Sequence, residues 1–263
     1  MERDFSPAST CSLEGGELFL DMMSQPSRAC AYFAHLCRLP LATRVTALNK
    51  KAQLDPSYPN PLRQVPCLRE RDGFVLPESS AILKYLAARH GVPDHWYPSE
   101  PRARARVDAA LDWQHFTIRR GAAGVTWNAL VARNMGMNTS PETARAMLGV
   151  LRGALQKLET VWLVSGRGPF MAGASEPSLA DLLVSEEIFN LVLLEAVDAR
   201  EFDFLPRTLD DLLGTTHPRT RRFLEACRGL DEPAWTRIHA VLHKARDAMV
   251  ARRREGEHAS SKL

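Results

Sequence analysis

The stretch from Glu17 to Arg28, ELFLDMMSQPSR, decides how the chain folds. Leu18, Phe19 and Leu20 are a short apolar run that predicts a buried strand. The run ends at Ser24-Gln25-Pro26-Ser27, and Ala29, Tyr32, Phe33 and Leu36 follow at helical spacing. Ser24 therefore stands at a strand-to-helix turn. Pro26 suits a first helical turn, where no N–H is needed. A hydroxyl at this place lies beside unpaired backbone donors and the positive end of a helix dipole, which together stabilise an anion. The same serine could simply cap its helix, and the stretch alone leaves both roles open.

Working outward, Leu41 to Leu48 predicts a second strand and Asn49 to Asn60, with Pro56 and Pro59, a loop or distorted short helix. Val65-Pro66-Cys67-Leu68 predicts another strand. Arg71-Asp72-Gly73 turns the chain, and Phe74-Val75-Leu76 pairs back as a hairpin. Pro77 to Ser80 opens a helix with Ile82, Leu83, Tyr85 and Leu86 on its apolar side. The order is β-α-β and then β-β-α, the outline of a thioredoxin-like unit. Gly91 to Pro101 reads as a linker, and beyond it strand signals vanish.

Residues 102–133 carry Val107, Leu111, Ile118, Ala122 and Val125 on one stripe. Ser140-Pro141 starts a helix whose inner face is Ala144, Leu148, Leu151, Leu155, Leu158 and Trp162. Ser178 and Asp181 have capping-box spacing, for which a structural role is preferred. Glu201 to Thr216 reads as a connection with one helical turn at 210–213, and helices follow at 218–229 and 233–253, the last with Trp235, Ile238, Leu242, Ala245 and Met249 inward. The predicted class is an α/β thioredoxin-like N-terminal domain followed by an all-α helical C-terminal domain. Its parts are a disordered leader (1–15), the thioredoxin-like domain (16–92), a linker (93–101), the helical domain (102–253) and a flexible tail (254–263).

Composition narrows the function. A formal net charge of +3 is too small to argue for nucleic acid, and Arg252-Arg253-Arg254 is a solvated helix end. The five cysteines, 11, 30, 37, 67 and 227, form no Cys-x-x-Cys pair and no zinc spacing, so no metal is predicted. Such a scattered set predicts reduced thiols inside a cell. No apolar run is long enough to span a membrane, and the first fifteen residues lack a secretory pattern. Ser261-Lys262-Leu263 matches the peroxisomal import address, reachable behind a polar Glu255–Ser260. In a eukaryote this predicts a peroxisome, with the cytosol beside it, and an import receptor as partner.

Several motifs in order carry a family resemblance. They are Ser24-Gln25-Pro26-Ser27-Arg28-Ala29, Asn60-Pro61-Leu62 with Val65-Pro66, Glu78-Ser79 with Ala81-Ile82-Leu83 and Tyr85-Leu86, Trp96-Tyr97-Pro98, and Ala103 to Val107. Asp112-Trp113-Gln114-His115 and Arg119-Arg120-Gly121-Ala122-Ala123-Gly124 continue the series. Over about 17–250 the chain resembles the theta class of glutathione transferases, in its plant-like branch, where a C-terminal peroxisomal address also occurs. Departures are a loop before Asn60 shorter by about two residues, Gln64 where a lysine is usual, an insertion at 200–214, and the leader.

The resemblance implies the glutathione transferase fold, a homodimer, glutathione as co-substrate and no cofactor. It implies that Ser24 donates a hydrogen bond to the glutathione sulfur. A thiol of pKa about 8.5 is roughly 3 % ionised at pH 7, and a fall of about 2 units, worth about 2.7 kcal/mol, makes most of it thiolate. One charge-assisted hydrogen bond plus a helix dipole is of that size. Val65-Pro66 resembles the family's cis-proline turn, whose Val65 backbone pairs with the cysteinyl part of glutathione like an added strand. Glu78 and Ser79 are expected at the γ-glutamyl end, and Gln53, Gln64 and Arg119 near the glycine end or the sulfur. Arg119 serves equally well as a surface or dimer-contact residue. Cys30 is expected to pack. His115, Phe116, Trp127, Met135 and Met137 could line an apolar second-substrate pocket, although core is the commoner place for each.

The activity so implied is conjugation of glutathione to small electrophiles, with reduction of organic hydroperoxides beside it. A non-catalytic binding or scaffold protein of the same fold is the alternative. A glutaredoxin-like reductase is disfavoured because Ser24 and Ser27 replace both cysteines of a dithiol site.

Overall fold

Glu17–Leu20 forms strand β1 and Gln25–Leu36 helix α1. The computed structural model describes residues 16–164 and 168–260, so the predicted leader and the Ser261–Leu263 address lie outside the described residues. Strand β2 is Ala42–Val45, and two 3-10 turns, Leu48–Lys50 and Ala52–Leu54, occupy the polar segment after it. Strands β3 (Cys67–Arg69) and β4 (Val75–Pro77) lead into α2 (Ser79–His90). The sheet order is β2-β1-β3-β4. β1 and β2 are parallel and joined through α1, while β3 runs antiparallel to both β1 and β4.

Alternation explains which face is covered. Leu18 and Leu20, two apart on β1, are buried with Leu68 of β3 under Ala29, Tyr32 and Phe33 of α1 and Ile82, Leu83 and Leu86 of α2. The second strand is shorter than the predicted 41–48, and Val45 at its end is 83 % exposed. It is an edge, where an apolar residue need not mark the core.

The rest is helical. α3 (Pro101–Gln114) is capped by the Glu100 carboxylate, which accepts the N–H groups of Arg102 at 2.9 Å and Ala103 at 2.7 Å. It runs through a wide π turn (His115–Arg119) into α4 (Arg120–Thr126), then through a second π turn (Trp127–Val131) into α5 (Ala132–Asn134). α6 (Pro141–Lys157) starts on the Ser140 cap. The stripes read from sequence on α3–α4 and α6 are buried, except for the half-buried Trp162. Where α4 crosses α6, a Cβ on Gly121 would stand 2.7 Å from the Leu151 Cα, so only glycine fits.

α7 (Leu179–Phe189) is buried along all eleven residues. Its polar residues must therefore find partners inside the protein. Asp181 accepts the N–H and hydroxyl of Ser178, at 2.7 and 2.6 Å, and the Met171 N–H at 2.7 Å, which is the structural role expected of this box. Burial pushes its carboxyl up to about 6 against those hydrogen bonds.

α8 (Leu209–Leu213), α9 (Pro218–Arg228) and α10 (Glu232–Ser260) complete the chain. The 200–214 segment packs on the helical domain: Phe202 and Leu205 are buried, and Glu201 pairs with Arg133 and, at 2.9 Å, with Thr139. α10 runs on to Ser260, through most of the residues predicted as a flexible tail. Arg, Glu and Ala are good helix formers, and a polar composition alone does not separate helix from coil.

Candidate functional site

Ser24 occupies the N-cap position of α1, with extended backbone (φ −86, ψ 123), yet its hydroxyl makes no capping hydrogen bond. It is half-buried. The turn is fixed by its neighbours instead. The Ser24 N–H donates to the Asp21 carbonyl at 2.9 Å, and the Asp21 carboxylate takes the N–H groups of Met23 and Leu48, both at 2.8 Å. Simple capping therefore does not account for the serine, and its oxygen is uncommitted among the described residues.

A cavity of about 400 Å³ opens between the thioredoxin-like unit and the helices. Pro26 of α1, Asn60, Gln64-Val65-Pro66 and the start of α2 at Glu78, Ser79 and Ser80 form one wall. Leu111, Asp112, Gln114, His115 and Arg119 form the other, with Leu183 and Glu187 of α7. The size lies in the range of small-molecule sites. Of the residues singled out from sequence, Gln64, Val65, Glu78, Ser79 and Arg119 line this space. Ser24 is outside the lining, two residues before Pro26. Gln53 is not brought to it: it lies in the second 3-10 turn with its Oε1 buried and unpartnered.

Each lining segment has a local cause. The Val65-Pro66 bond is cis, and neither the N–H nor the C=O of Val65 has a partner among the described residues. Both can pair with an extended ligand, as at a sheet edge. The Gln64 carbonyl is held by the Tyr58 hydroxyl at 2.8 Å and the Asn60 amide at 2.7 Å, while the Gln64 side chain stays exposed. Glu78 has φ 69 and ψ 113. A side chain at such a φ costs about 1–3 kcal/mol and is held there only by its surroundings. Ser79 begins α2, whose free N–H groups suit a carboxylate.

The helical wall is built around the π turn after α3, which carries His115 and Arg119. The Arg119 guanidinium pairs with the Glu187 carboxylate of α7. Below it, Arg28 of α1 is fully buried. Its Nε donates to Glu186 at 2.7 Å, Nη1 to the Met22 carbonyl at 2.9 Å and Nη2 to the Asn190 side chain at 3.1 Å. His239 of α10 reaches the same Glu186 oxygen at 3.0 Å. The loop that carries Ser24 is thus tied to α7 and α10.

Of the five apolar-pocket candidates only His115 lines the cavity. Phe116, Trp127, Met135 and Met137 are neither core nor lining but exposed: the first two stand in the π turns, which shift the helix register, and the two methionines lie past the end of α5. Cys30 packs as expected, and burial pushes its thiol well up. Sequence reasoning assigns no task to Asp21, Tyr58, Asn60, Gln114, Glu186 or Glu187, although Asp21, Asn60 and Gln114 fall within the stretches that carry the fold and the resemblance.

The family model for the glutathione S-transferase N-terminal domain matches residues 24–89, starting at the serine. Glutathione S-transferase T1 of Arabidopsis thaliana is 33 % identical over 91 % of this chain and 94 % of its own length. Glutathione S-transferase theta-3 of Mus musculus is 40 % identical over 89 % of this chain and 90 % of its own. The chain belongs to the theta class of glutathione S-transferases. In three dimensions it is similar to the human theta-class enzyme solved in complex with the glutathione conjugate of 1-menaphthyl sulfate, with a TM-score of 0.72, 33 % identity, and coverage of 90 % of this chain and 92 % of that one. The match spans the thioredoxin-like unit and the helical domain together.

Proposed function

We propose that the protein conjugates glutathione to small electrophiles, with Ser24 holding the glutathione sulfur as thiolate. The observation that carries this is the uncommitted Ser24 hydroxyl at the head of α1, two residues before a proline in the cavity wall. A capping serine accepts with its oxygen and keeps its O–H, so the hydroxyl is free to donate to a ligand sulfur; the missing cap removes the structural explanation for the residue. In this proposal the free Val65 backbone pairs with the cysteinyl residue, Ser79 and the α2 N-terminus hold the γ-glutamyl carboxylate, and Glu78 faces its ammonium. Gln64 and Arg119 take the remaining length of the tripeptide. Gln53 drops out of the proposed contacts.

The same thiolate can reduce a hydroperoxide. Sulfur attacks the peroxide oxygen, the O–O bond breaks, and an alcohol leaves after protonation. A second glutathione then displaces water from the sulfenic acid to give the disulfide. We extend the proposal to this reaction because it needs only the activated sulfur. A homodimer is also proposed; Phe74, 42 % exposed at the sheet edge, is the side chain it would cover.

The test is Ser24→Ala. Loss of one hydrogen bond to a charged sulfur, about 1.5–3 kcal/mol, lowers conjugation at neutral pH by about tenfold to a hundredfold with glutathione still bound. Full activity in the variant removes Ser24 from the mechanism. Calorimetry decides the non-catalytic alternative: a wild type that takes up no glutathione at millimolar concentration is a scaffold.

A further inference from the structure

The helical wall holds two acids that the proposed chemistry does not use. Glu186 and Glu187 are consecutive on α7, each 1 % exposed. Glu186 is met by Arg28 and His239, and none of the three lines the cavity. Glu187 lines the cavity and has one partner, Arg119, whose side chain is 34 % exposed there. The other oxygen of Glu187 has no hydrogen-bond partner among the described residues, and neither has the Oε1 of the neighbouring lining residue Gln114.

A buried carboxylate is a costly anchor for a half-exposed cation. If Arg119 merely decorated the surface, its partner would be better placed in water. Instead the guanidinium is pinned where a tripeptide anion would lie. Both partners line the cavity, the guanidinium half-exposed and the carboxylate buried beside it. An arginine left unanchored would lose that placement among its many rotamers.

We propose that Glu187 is a positioning residue: it locks the Arg119 guanidinium into the cavity wall and, by its own charge, limits how strongly that cation stabilises the anion of bound glutathione. The inference rests on the glutathione-binding function proposed above. The groups that act on Glu187 are Arg119 from the segment after α3, Arg28 from α1 and Glu186 beside it, with Asp112, His115 and Glu78 as the other ionisable lining residues. Burial raises the Glu187 carboxyl on balance, with Glu186 adding to it, and Arg119 and Arg28 offset part of that rise.

Two substitutions separate position from charge. Glu187→Gln keeps an acceptor for Arg119 and removes the negative charge. Glu187→Leu removes both. Arg119→Ala, at a half-exposed site, supplies a background that should fold whatever Glu187→Leu does. The readouts are glutathione binding by calorimetry, the ultraviolet titration of the bound thiolate, the pH profile of kcat/KM with an aryl halide, and Tm. In Glu187→Gln the bound thiol titrates at lower pH by about half a unit, the effect of one partly screened charge. In the Arg119→Ala background the same change moves the titration little, because without that cation burial drives the carboxyl further towards its neutral form. Glu187→Leu loses about tenfold in kcat/KM, equivalent to one misplaced charged group.

A Glu187→Gln titration that coincides with wild type overturns the inference, as does a shift that persists in full without Arg119. A Glu187→Leu protein with a lower Tm and undiminished kcat/KM overturns it too, since that is what a purely structural acid would give. A wild type that binds no glutathione removes the functional proposal and this inference together. One that binds, with an unmoved titration, removes the inference alone.

Discussion

Arg28→Met is the most demanding test of how the site is held. The guanidinium spends its donors on Glu186 at 2.7 Å, the Met22 carbonyl at 2.9 Å and Asn190 at 3.1 Å, all inside the protein. Methionine has a similar length and no donors. The change leaves the Glu186 carboxylate with His239 alone and orphans two further acceptors. Breaking a buried ion pair from one side costs about 3–5 kcal/mol, and each orphaned neutral acceptor adds about 1 kcal/mol. Against a total stability of about 5–15 kcal/mol that is a large share. Removing the acid as well should give part of it back, so Arg28→Met/Glu186→Met is expected to be more stable than Arg28→Met. The acid limb carries a second signature. Burial raises the Glu186 carboxyl, but His239 and Arg28 outweigh it, and the net shift is downward. A group depressed in the folded state contributes stability above its unfolded pKa and loses it as pH falls through the folded one. Without Arg28 the acid transition therefore moves to higher pH. Urea unfolding at fixed protein concentration, at neutral and acid pH, measures both effects. An Arg28→Met protein within about 1 kcal/mol of wild type, or a double variant as unstable as the sum of the singles, refutes the energetic account.

Two further outcomes follow from the packing. Gly121→Ala places a Cβ 2.7 Å from both the N and the Cα of Leu151, and backbone cannot rotate aside, so α4 and α6 must part; the expected cost is about 1–3 kcal/mol despite alanine's better helix propensity, read as a fall in Tm. Asp181, raised in the folded state, contributes stability that is full below its unfolded value of 3.8 and is lost as pH rises through about 6. The stability difference between wild type and Asp181→Asn should therefore shrink across that interval, in urea titrations at its two ends.

Much of the fold could be read because its signals are periodic. Leu18 and Leu20 alternate; Leu148, Leu151, Leu155 and Leu158 step by three and four; the two chain halves change period at the prolines of the linker. What could not be read is where the period itself breaks. A proline-free run from Arg102 to Arg133 reads as one uniform helix, yet two π turns reset its register, and Phe116 and Trp127 end on the outside. The helical continuation of α10 to Ser260 escaped for the opposite reason, since its charged and polar sequence has no apolar stripe to announce it.

The lining on the thioredoxin-like side was legible through short motifs: Val65-Pro66 and Glu78-Ser79 are local arrangements, complete within a few residues. The helical wall was not, because its determinants are pairs far apart in sequence. Arg28 and Glu186 are 158 residues apart, Arg119 and Glu187 are 68 apart. In LLVSEEIFN two adjacent glutamates look like a solvated face, and only full burial of α7 turns them into a demand for cations. Adjacent residues on a helix point about 100° apart. Glu186 therefore serves the Ser24 loop through Arg28, and Glu187 the cavity through Arg119. One helix braces both halves of the site, each through a single acid. Substitutions at 186 should move stability and the acid transition first. Those at 187 should move the bound thiol first. Two neighbouring carboxylates whose variants failed in the same way would mean that α7 is only a core helix.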